Sequence, residues 1–392
     1  MENPVRAVGK KNRRSFLKQS VVGVGAVGVG VSLLPTDLSA QNGPEKPTKG
    51  DIAILTFLSA LEQVEADLWI QYAELGGATN QGLSPIDLSQ DGQKISTGLA
   101  PEYVQGLQVL DTDMPQYVAD NTDDEISHHS FLNNYLMSKG APPVDLNPQF
   151  AVLPHSDVPG VAQTKRLTNL RNLTVDTSWW TRYRSVTDPD FGGGPFENAV
   201  PDLAKGQFPA IPFQADLGSG LTNHLQAIAN TAGFHFAFIE QGGTSLYPTL
   251  AQQVSNLEVL RVLLSIGGSE IMHFQVWHDK AGNAKALTDG ALTFPVLDGS
   301  NDPNGILNNP NAIADTFQAN LIMPEPATFL DPNFGPVAII RPTSSKLNGA
   351  VAAVTGFVDD GLFRDPSTPG KNSPIVGELM KLAEAADAAR RT

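Results

Sequence analysis

Between Asp51 and Leu75 the apolar residues Ile52, Leu55, Leu58, Leu61, Val64, Leu68 and Tyr72 recur at intervals of three and four. That is the repeat of a helix with one buried face. The same spacing returns three times. It runs from about Tyr117 through Phe131, Leu132, Tyr135 and Leu136 until Gly140 and Pro142 end it. It reappears from Leu221 to Gly242 through Leu225, Ile228, Ala232, Phe236 and Ile239, and again in the apolar run from Leu257 to Trp277. Four such helices predict a mainly α fold built on a four-helix bundle. A last amphipathic helix is expected from about Ser373 to Arg390, with Ile375, Val376, Leu379, Met380 and Leu382 available for docking.

The segments between these helices are long. Residues 76–114 are rich in Gly, Pro, Asp and Ser and read as a connection with short helical pieces. Residues 141–220 form a second irregular insertion, too long for a bundle loop and expected to lie over the helices as a lid or side layer. Its aromatic group, Trp179-Trp180-x-x-Tyr183 beside Arg182 and Arg184, fits either a sugar- or aromatic-binding surface or a satellite cluster under a loop. After His278 the chain becomes dense in Pro, Asn, Gly and Asp, and the runs Pro336 to Ile340 and Val351 to Val358 suggest short strands or coil. Asp298-Gly299-Ser300-Asn301-Asp302 has the look of a calcium loop, but Pro303 stands where that loop needs Gly, so it reads as turns. The expected organisation is a bundle over residues 51–284, carrying the insertions 76–114 and 141–220, and a C-terminal extension over 285–392.

Composition narrows the chemistry. The 392 residues are 41% hydrophobic, enough for a sizeable core, and include no cysteine, so disulfides and thiolate metal sites are excluded. Any metal must be held by oxygen and nitrogen. A formal net charge of -15 argues against nucleic acid and anionic membrane surfaces as partners. The first forty residues read as a targeting segment. Asn12-Arg13-Arg14-Ser15-Phe16-Leu17-Lys18 resembles the twin-arginine export signal, a weakly apolar run from Val21 to Leu34 follows, and Leu38-Ser39-Ala40 offers a cleavage site. The expected location is periplasmic or secreted, with no membrane span in the mature chain.

Two Glu-x-x-His pairs stand out, Glu125-Ile126-Ser127-His128 and Glu270-Ile271-Met272-His273. On a helix the two residues of each pair share a face and can grip one metal ion. Together with one inward Glu from each of two further helices, they make the ligand set of a di-metal carboxylate centre. The first predicted helix offers Glu62 or Glu65, with Glu62 preferred. The third offers only Glu240, the single acidic residue between Asp216 and Glu258. Ser255-x-x-Glu258 reads as a capping box. Glu240 and Glu270 lie at equal distances along the chain from that turn, so an antiparallel pair brings them to one level. Against this, Gly242-Gly243 and Pro248 predict a break just after Glu240, and Thr122-x-x-Glu125 also fits a capping box that would place Glu125 in a first turn.

The chain resembles the exported ferritin-like domain proteins, a group with fungal stress-induced and plant desiccation-related relatives. The resemblance rests on Leu61-Glu62-x-x-Glu65, Asp124-Glu125-x-x-His128, Glu240-x-x-Gly243-x-x-x-Tyr247, and Ser265-Ile266 followed by Glu270-x-x-His273. It implies a ferritin-like bundle in which Glu62 and Glu240 are terminal metal ligands, Glu125 and Glu270 bridge, and His128 and His273 each complete one metal. The expected cofactors are two iron or manganese ions, and the expected partner is a small oxidant, oxygen or peroxide. Glu65 is then a candidate proton relay. The expected function is an oxidoreductase or peroxide-consuming protein in stress protection; the competing reading is a non-catalytic envelope protein binding a partner or polymer through its insertions. A ferritin-type storage shell fits poorly, because the insertions and extension would obstruct tight packing of helix faces. The sequence does not fix the oligomeric state.

Overall fold

Thr48 starts the first long helix. Its side chain accepts from the Asp51 N–H while the Asp51 carboxylate accepts from the Thr48 N–H, a reciprocal cap. The helix, α1, runs Lys49–Gly76. In the computed structural model, which describes residues 46–78, 89–90, 93–184, 197–297, 349–368 and 370–392, it is followed by α2 (Pro101–Leu110), α3 (Met114–Ser138), the short α4 (Ser178–Arg184), α5 (Asn223–Ala251) and α6 (Leu257–Ala281). The C-terminal extension adds α7 (Ala350–Asp360) and α8 (Ile375–Asp387). Strands are minor among the described residues: an antiparallel pair β1 (Ser89–Gln90) and β2 (Gln93–Lys94), and another, β3 (Leu287–Asp289) and β4 (Leu292–Phe294). The fold is mainly α.

α1 pairs with α3 and α5 with α6. Ser59 bonds Asn133 while Thr122 bonds the Trp69 carbonyl, so α1 and α3 run antiparallel. Asp51 joins the two pairs at one end, its Oδ1 accepting from Ser255 N at 2.8 Å. Between them lies a fully buried aromatic stack: Trp69 is stacked on Trp277 with ring centroids 5.3 Å apart, and Phe236 lies 4.9 Å from Trp69 and 4.6 Å from Tyr72. The insertion covers the outer side of α1. Asp67 accepts from Leu167 N, Thr168 N and Thr168 Oγ1, and Glu74 pairs with Arg166 at 2.6 Å. Polar residues on α1 that periodicity assigns to water are thereby paired and buried.

Four expectations change. Thr122 is not a cap: α3 begins at Met114, and the Thr122 hydroxyl donates to Val118 O within the helix, so Glu125 sits near its middle. The cap of α6 is Asn256, whose side chain accepts from Glu258 N and Val259 N, in place of Ser255. α5 does not break after Glu240 but continues through Gly242-Gly243 and Pro248 to Ala251. It packs closely against α6: a Cβ at Gly243 of α5 would stand 2.5 Å from Glu270 Oε2 of α6, and one at Gly267 of α6 2.8 Å from Tyr247 Cβ of α5, so the approach of the two helices uses glycines that propensity alone counts against. Finally, Val351 to Val358 is helical, within α7. Its first N–H groups are satisfied from a distance, Ala350 N and Val351 N donating to the two oxygens of Asp387 on α8, and Gly361 ends it in the left-handed region at φ 90°.

Trp179 and Trp180 are 1% and 2% exposed, Trp179 lying against Phe234 and Phe274. They form a buried cluster, which removes them as an exposed binding surface. No helix among the described residues is long and apolar enough to cross a membrane. The targeting segment, the Asp298–Asp302 turns and the Pro336–Ile340 run lie outside the described residues.

Candidate metal centre

Each bundle helix turns acidic or imidazole groups inward at one level. α1 supplies Glu62, α3 Glu125 and His128, α5 Glu240, and α6 Glu270 and His273; the four glutamates are at most 2% exposed and the two histidines 9%. The i, i+3 spacing places each Glu and its His on one face. Ligand atoms of Glu62, Glu125, His128 and Glu270 lie within 4.8 Å of one another, as do those of Glu125, Glu240, Glu270 and His273. Glu125 and Glu270 belong to both groups. The result is two four-residue nests that share a pair of carboxylates, with one unshared Glu and one His at each side.

Both histidines turn Nδ1 inward. His128 Nδ1 is 3.1 Å from Glu125 and 3.3 Å from both Glu62 and Glu270, and His273 Nδ1 is 3.1 Å from Glu125 and 3.3 Å from Glu240. Their other nitrogens are engaged outside. His128 Nε2 is 3.0 Å from Ser269 Oγ, and His273 Nε2 is 3.1 Å from Asp124 Oδ2. A carboxylate or hydroxyl on the far nitrogen fixes the ring orientation and leaves Nδ1 free to bind a metal. The carboxylates have their own supports. Asn121 Nδ2 donates to Glu125 and Glu240 while its oxygen accepts from Trp277 Nε1 at 2.8 Å, and Tyr247 donates its hydroxyl proton to Glu62.

The electrostatics are those of a site short of positive charge. Burial lifts the Glu62 and Glu240 carboxyls above their ordinary range, against the pull of His128 and His273. Burial opposes the imidazolium form, yet Glu125 and Glu62 hold His128 above its ordinary value, and Glu240 and Asp124 do the same for His273. Despite burial, those imidazoles bring Glu125 below its usual range. Even so, Glu62 Oε2, Glu240 Oε2, Glu270 Oε1 and His273 Nδ1 are buried with only these carboxylate–imidazole contacts and no aligned hydrogen bond, and Glu270 Oε2 is buried without a hydrogen-bond partner. Buried polar atoms left unpaired in one place, all oxygen or imidazole nitrogen and all aimed at common points, fit divalent metal ions.

Glu62, and not Glu65, stands in this cluster. Glu65 is 3% exposed and lines a separate cavity of about 180 Å³ with Leu61, Phe238, Gly243 and Phe357. Burial first, then the neighbouring Glu62, Glu270, Glu125 and Glu240, push its carboxyl well above the usual range. Asn121 is the residue that sequence reasoning passes over, although it precedes Glu125 by one helical turn on the same face. Gly243 also gains a role: a Cβ there would meet Glu270 Oε2 at 2.5 Å.

Neither a curated protein nor a solved structure matches the chain. A family does: the model described as ferritin-like domain matches residues 50–283, a span that begins in α1, ends just beyond α6 and contains every residue of the cluster. With well over half of its length inside that match, the chain belongs to the ferritin-like domain family.

Proposed function

We propose that this protein is exported and uses two iron or manganese ions, held by the buried cluster, to consume peroxide or oxygen in stress protection. The observation that carries the reading is the sharing of Glu125 and Glu270 between two buried nests, several of whose ligand atoms make no aligned hydrogen bond. Iron or manganese bound there supplies redox cycling between divalent and higher-valent states, which a mixed carboxylate and imidazole set tolerates. Glu62 and His128 would hold one ion and Glu240 and His273 the other. Asp124 and Ser269 keep the two imidazoles presenting Nδ1. Tyr247, its hydroxyl held protonated by burial and by Glu62, steadies that carboxylate. Glu65, one helical turn from Glu62 on α1 and buried, would hold a proton for the chemistry of the centre. Export rests on the sequence of the leader, Asn12 to Lys18.

Elemental analysis of protein matured through the export pathway tests the reading, wild type beside the Glu125→Ala/Glu270→Ala double variant. The expected result is about two iron or manganese per chain, lost in the double variant together with peroxide consumption. Wild-type protein that takes up neither metal when offered, with an unchanged melting temperature, would refute it.

A further inference from the structure

The cavity beside Glu65 is walled by parts of the chain that have different origins. α1 contributes Leu61 and Glu65, α5 contributes Phe238 and Gly243, and α7 of the C-terminal extension contributes Gly356 and Phe357. Gly242 and Gly356 both line it, and a Cβ at either would meet no side chain and no backbone of another element within 4 Å. On its inner side the wall is one residue thick. Gly243 lines the cavity, and Glu270 Oε2 lies 2.5 Å from the position of its absent Cβ. The cavity therefore abuts the candidate metal centre on the side of a shared carboxylate that has no hydrogen-bond partner.

The lining selects a chemistry. It contains no Lys or Arg, and its inner end faces Glu65 with Glu62, Glu125, Glu240 and Glu270 behind, so anions are repelled. Most of the lining is apolar, with leucine, phenylalanine and alanine side chains. A hydrogen peroxide molecule would gain nothing from them, whereas an alkyl group would be desolvated by them. At about 180 Å³ the space is below the roughly 300–1,000 Å³ of pockets that take drug-sized ligands, so the guest is short. The Glu65 carboxyl in the lining can exchange a hydrogen bond with an O–OH group, which both donates and accepts.

We propose that this cavity binds a short, uncharged organic hydroperoxide, with its alkyl end against Leu61, Phe238 and Phe357 and its peroxide end at Glu65 and the Gly243 wall. The proposal rests on reading the cluster as a redox metal centre, and it names the substrate class of that centre. It also gives α7 a function, since the four bundle helices alone leave one side of the space open.

Two measurements test it separately from the redox reading. The first uses metal-free protein and trifluoro-tert-butanol, an unreactive stand-in for tert-butyl hydroperoxide, followed by fluorine NMR. Saturable broadening in wild type, weakened at least tenfold in Gly356→Leu and in Gly242→Leu, is expected. Both substitutions enter open space in a helix and favour helix formation, so folding is retained. No broadening in wild type, or equal broadening in all three proteins, would overturn the proposal whatever the metal does. The second uses protein loaded with divalent metal, whose two ions would supply the two electrons that split the O–O bond to alcohol and water, and compares the single-turnover second-order rate constant for tert-butyl hydroperoxide with that for hydrogen peroxide. The ratio is expected to fall at least tenfold in Gly356→Leu; an unchanged ratio would overturn the assignment of the cavity to the substrate. If loaded wild type consumes neither peroxide while the NMR binding stands, the redox reading fails and the cavity remains a binding site for a short neutral molecule.

Discussion

A Cβ at position 243 would stand 2.5 Å from Glu270 Oε2, nearer than real side chains approach, so the shared carboxylate holds its place because residue 243 is glycine. The atom in the way is the far end of a flexible side chain, so Gly243→Ala should move the carboxylate more than it disturbs the helix. The expected cost is about 1–3 kcal/mol in metal binding, roughly 5–150-fold in affinity, with little change in melting temperature because Ala favours a helix by about 1 kcal/mol. A metal titration of the variant with unchanged affinity would show that Glu270 can turn aside freely. Glu65 gives a pH prediction. Its carboxyl titrates well above 4.5 in the folded chain, so folding takes up a proton; the stability this confers is complete below the unfolded value and lost as pH rises through the folded one. Glu65→Gln removes the penalty, and its melting gain over metal-free wild type should grow from pH 5 to pH 8, reaching about 1–3 kcal/mol. Equal gains at the two pH values would mean that the carboxyl is not held protonated. Spacing cannot separate Glu62 from Glu65, because residues three apart share an arc of a helix. Their partners separate them: His128 lies 3.3 Å from Glu62, while Glu65 faces a cavity partly walled by α7, an element far away in sequence.

At the scale of elements, the four bundle helices and the level of their acidic residues are readable from periodicity, since each helix has an apolar face on which the Glu and His of the cluster interrupt the pattern. The boundaries and breaks are not. Gly242, Gly243 and Pro248 read as a stop because propensity counts them one by one, yet α5 is held as a helix to Ala251 by what it packs against. Val351 to Val358 reads as strand because apolar residues stand on all its sides; the missing information is Asp387, whose carboxylate takes the first N–H groups of α7 from another helix. Asn121 is likewise invisible to a search for ligands, since its amide links Glu125 on its own helix to Glu240 on α5 and Trp277 on α6. Asn121→Ala should leave the Trp277 N–H buried and unpaired, costing about 1–3 kcal/mol of stability. It should also loosen two carboxylates at once, lowering metal affinity by roughly 10–100-fold, as loss of a group supporting the ligands commonly does. Thermal melts and metal titration of one preparation read both effects. A stability loss without an affinity loss would confine Asn121 to the tryptophan.

Over the whole molecule, the bundle matches its family within residues 50–283, but α7 and α8 lie outside that span, and α7 is tied to the bundle by a buried polar chain. Tyr72 on α1, His235 on α5 and Asp360 at the end of α7 form a chain, the tyrosine hydroxyl 2.8 Å from His235 Nδ1 and His235 Nε2 3.0 Å from Asp360. All three are at most 2% exposed. The insertion joins the same place, Thr174 N donating to the Asp360 carbonyl and Asn169 N to that of Leu362. No spacing in the sequence announces this, because the three residues come from segments separated by both insertions and are individually unremarkable. Burial lifts the Asp360 carboxyl above its ordinary range against the pull of His235, so the chain is held at some cost, and its value lies in fixing where α7 sits. Asp360→Ala leaves His235 Nε2 buried without its partner and should destabilise the protein by about 1–3 kcal/mol. Asp360→Asn keeps an acceptor and should cost less. If α7 is docked through this contact, hydrogen exchange in Asp360→Ala will rise first in residues 350–360, with α1 and α5 still protected. Loss of protection spread evenly over the bundle would show instead that Asp360 stabilises the core as a whole and that α7 has no separate hold on it.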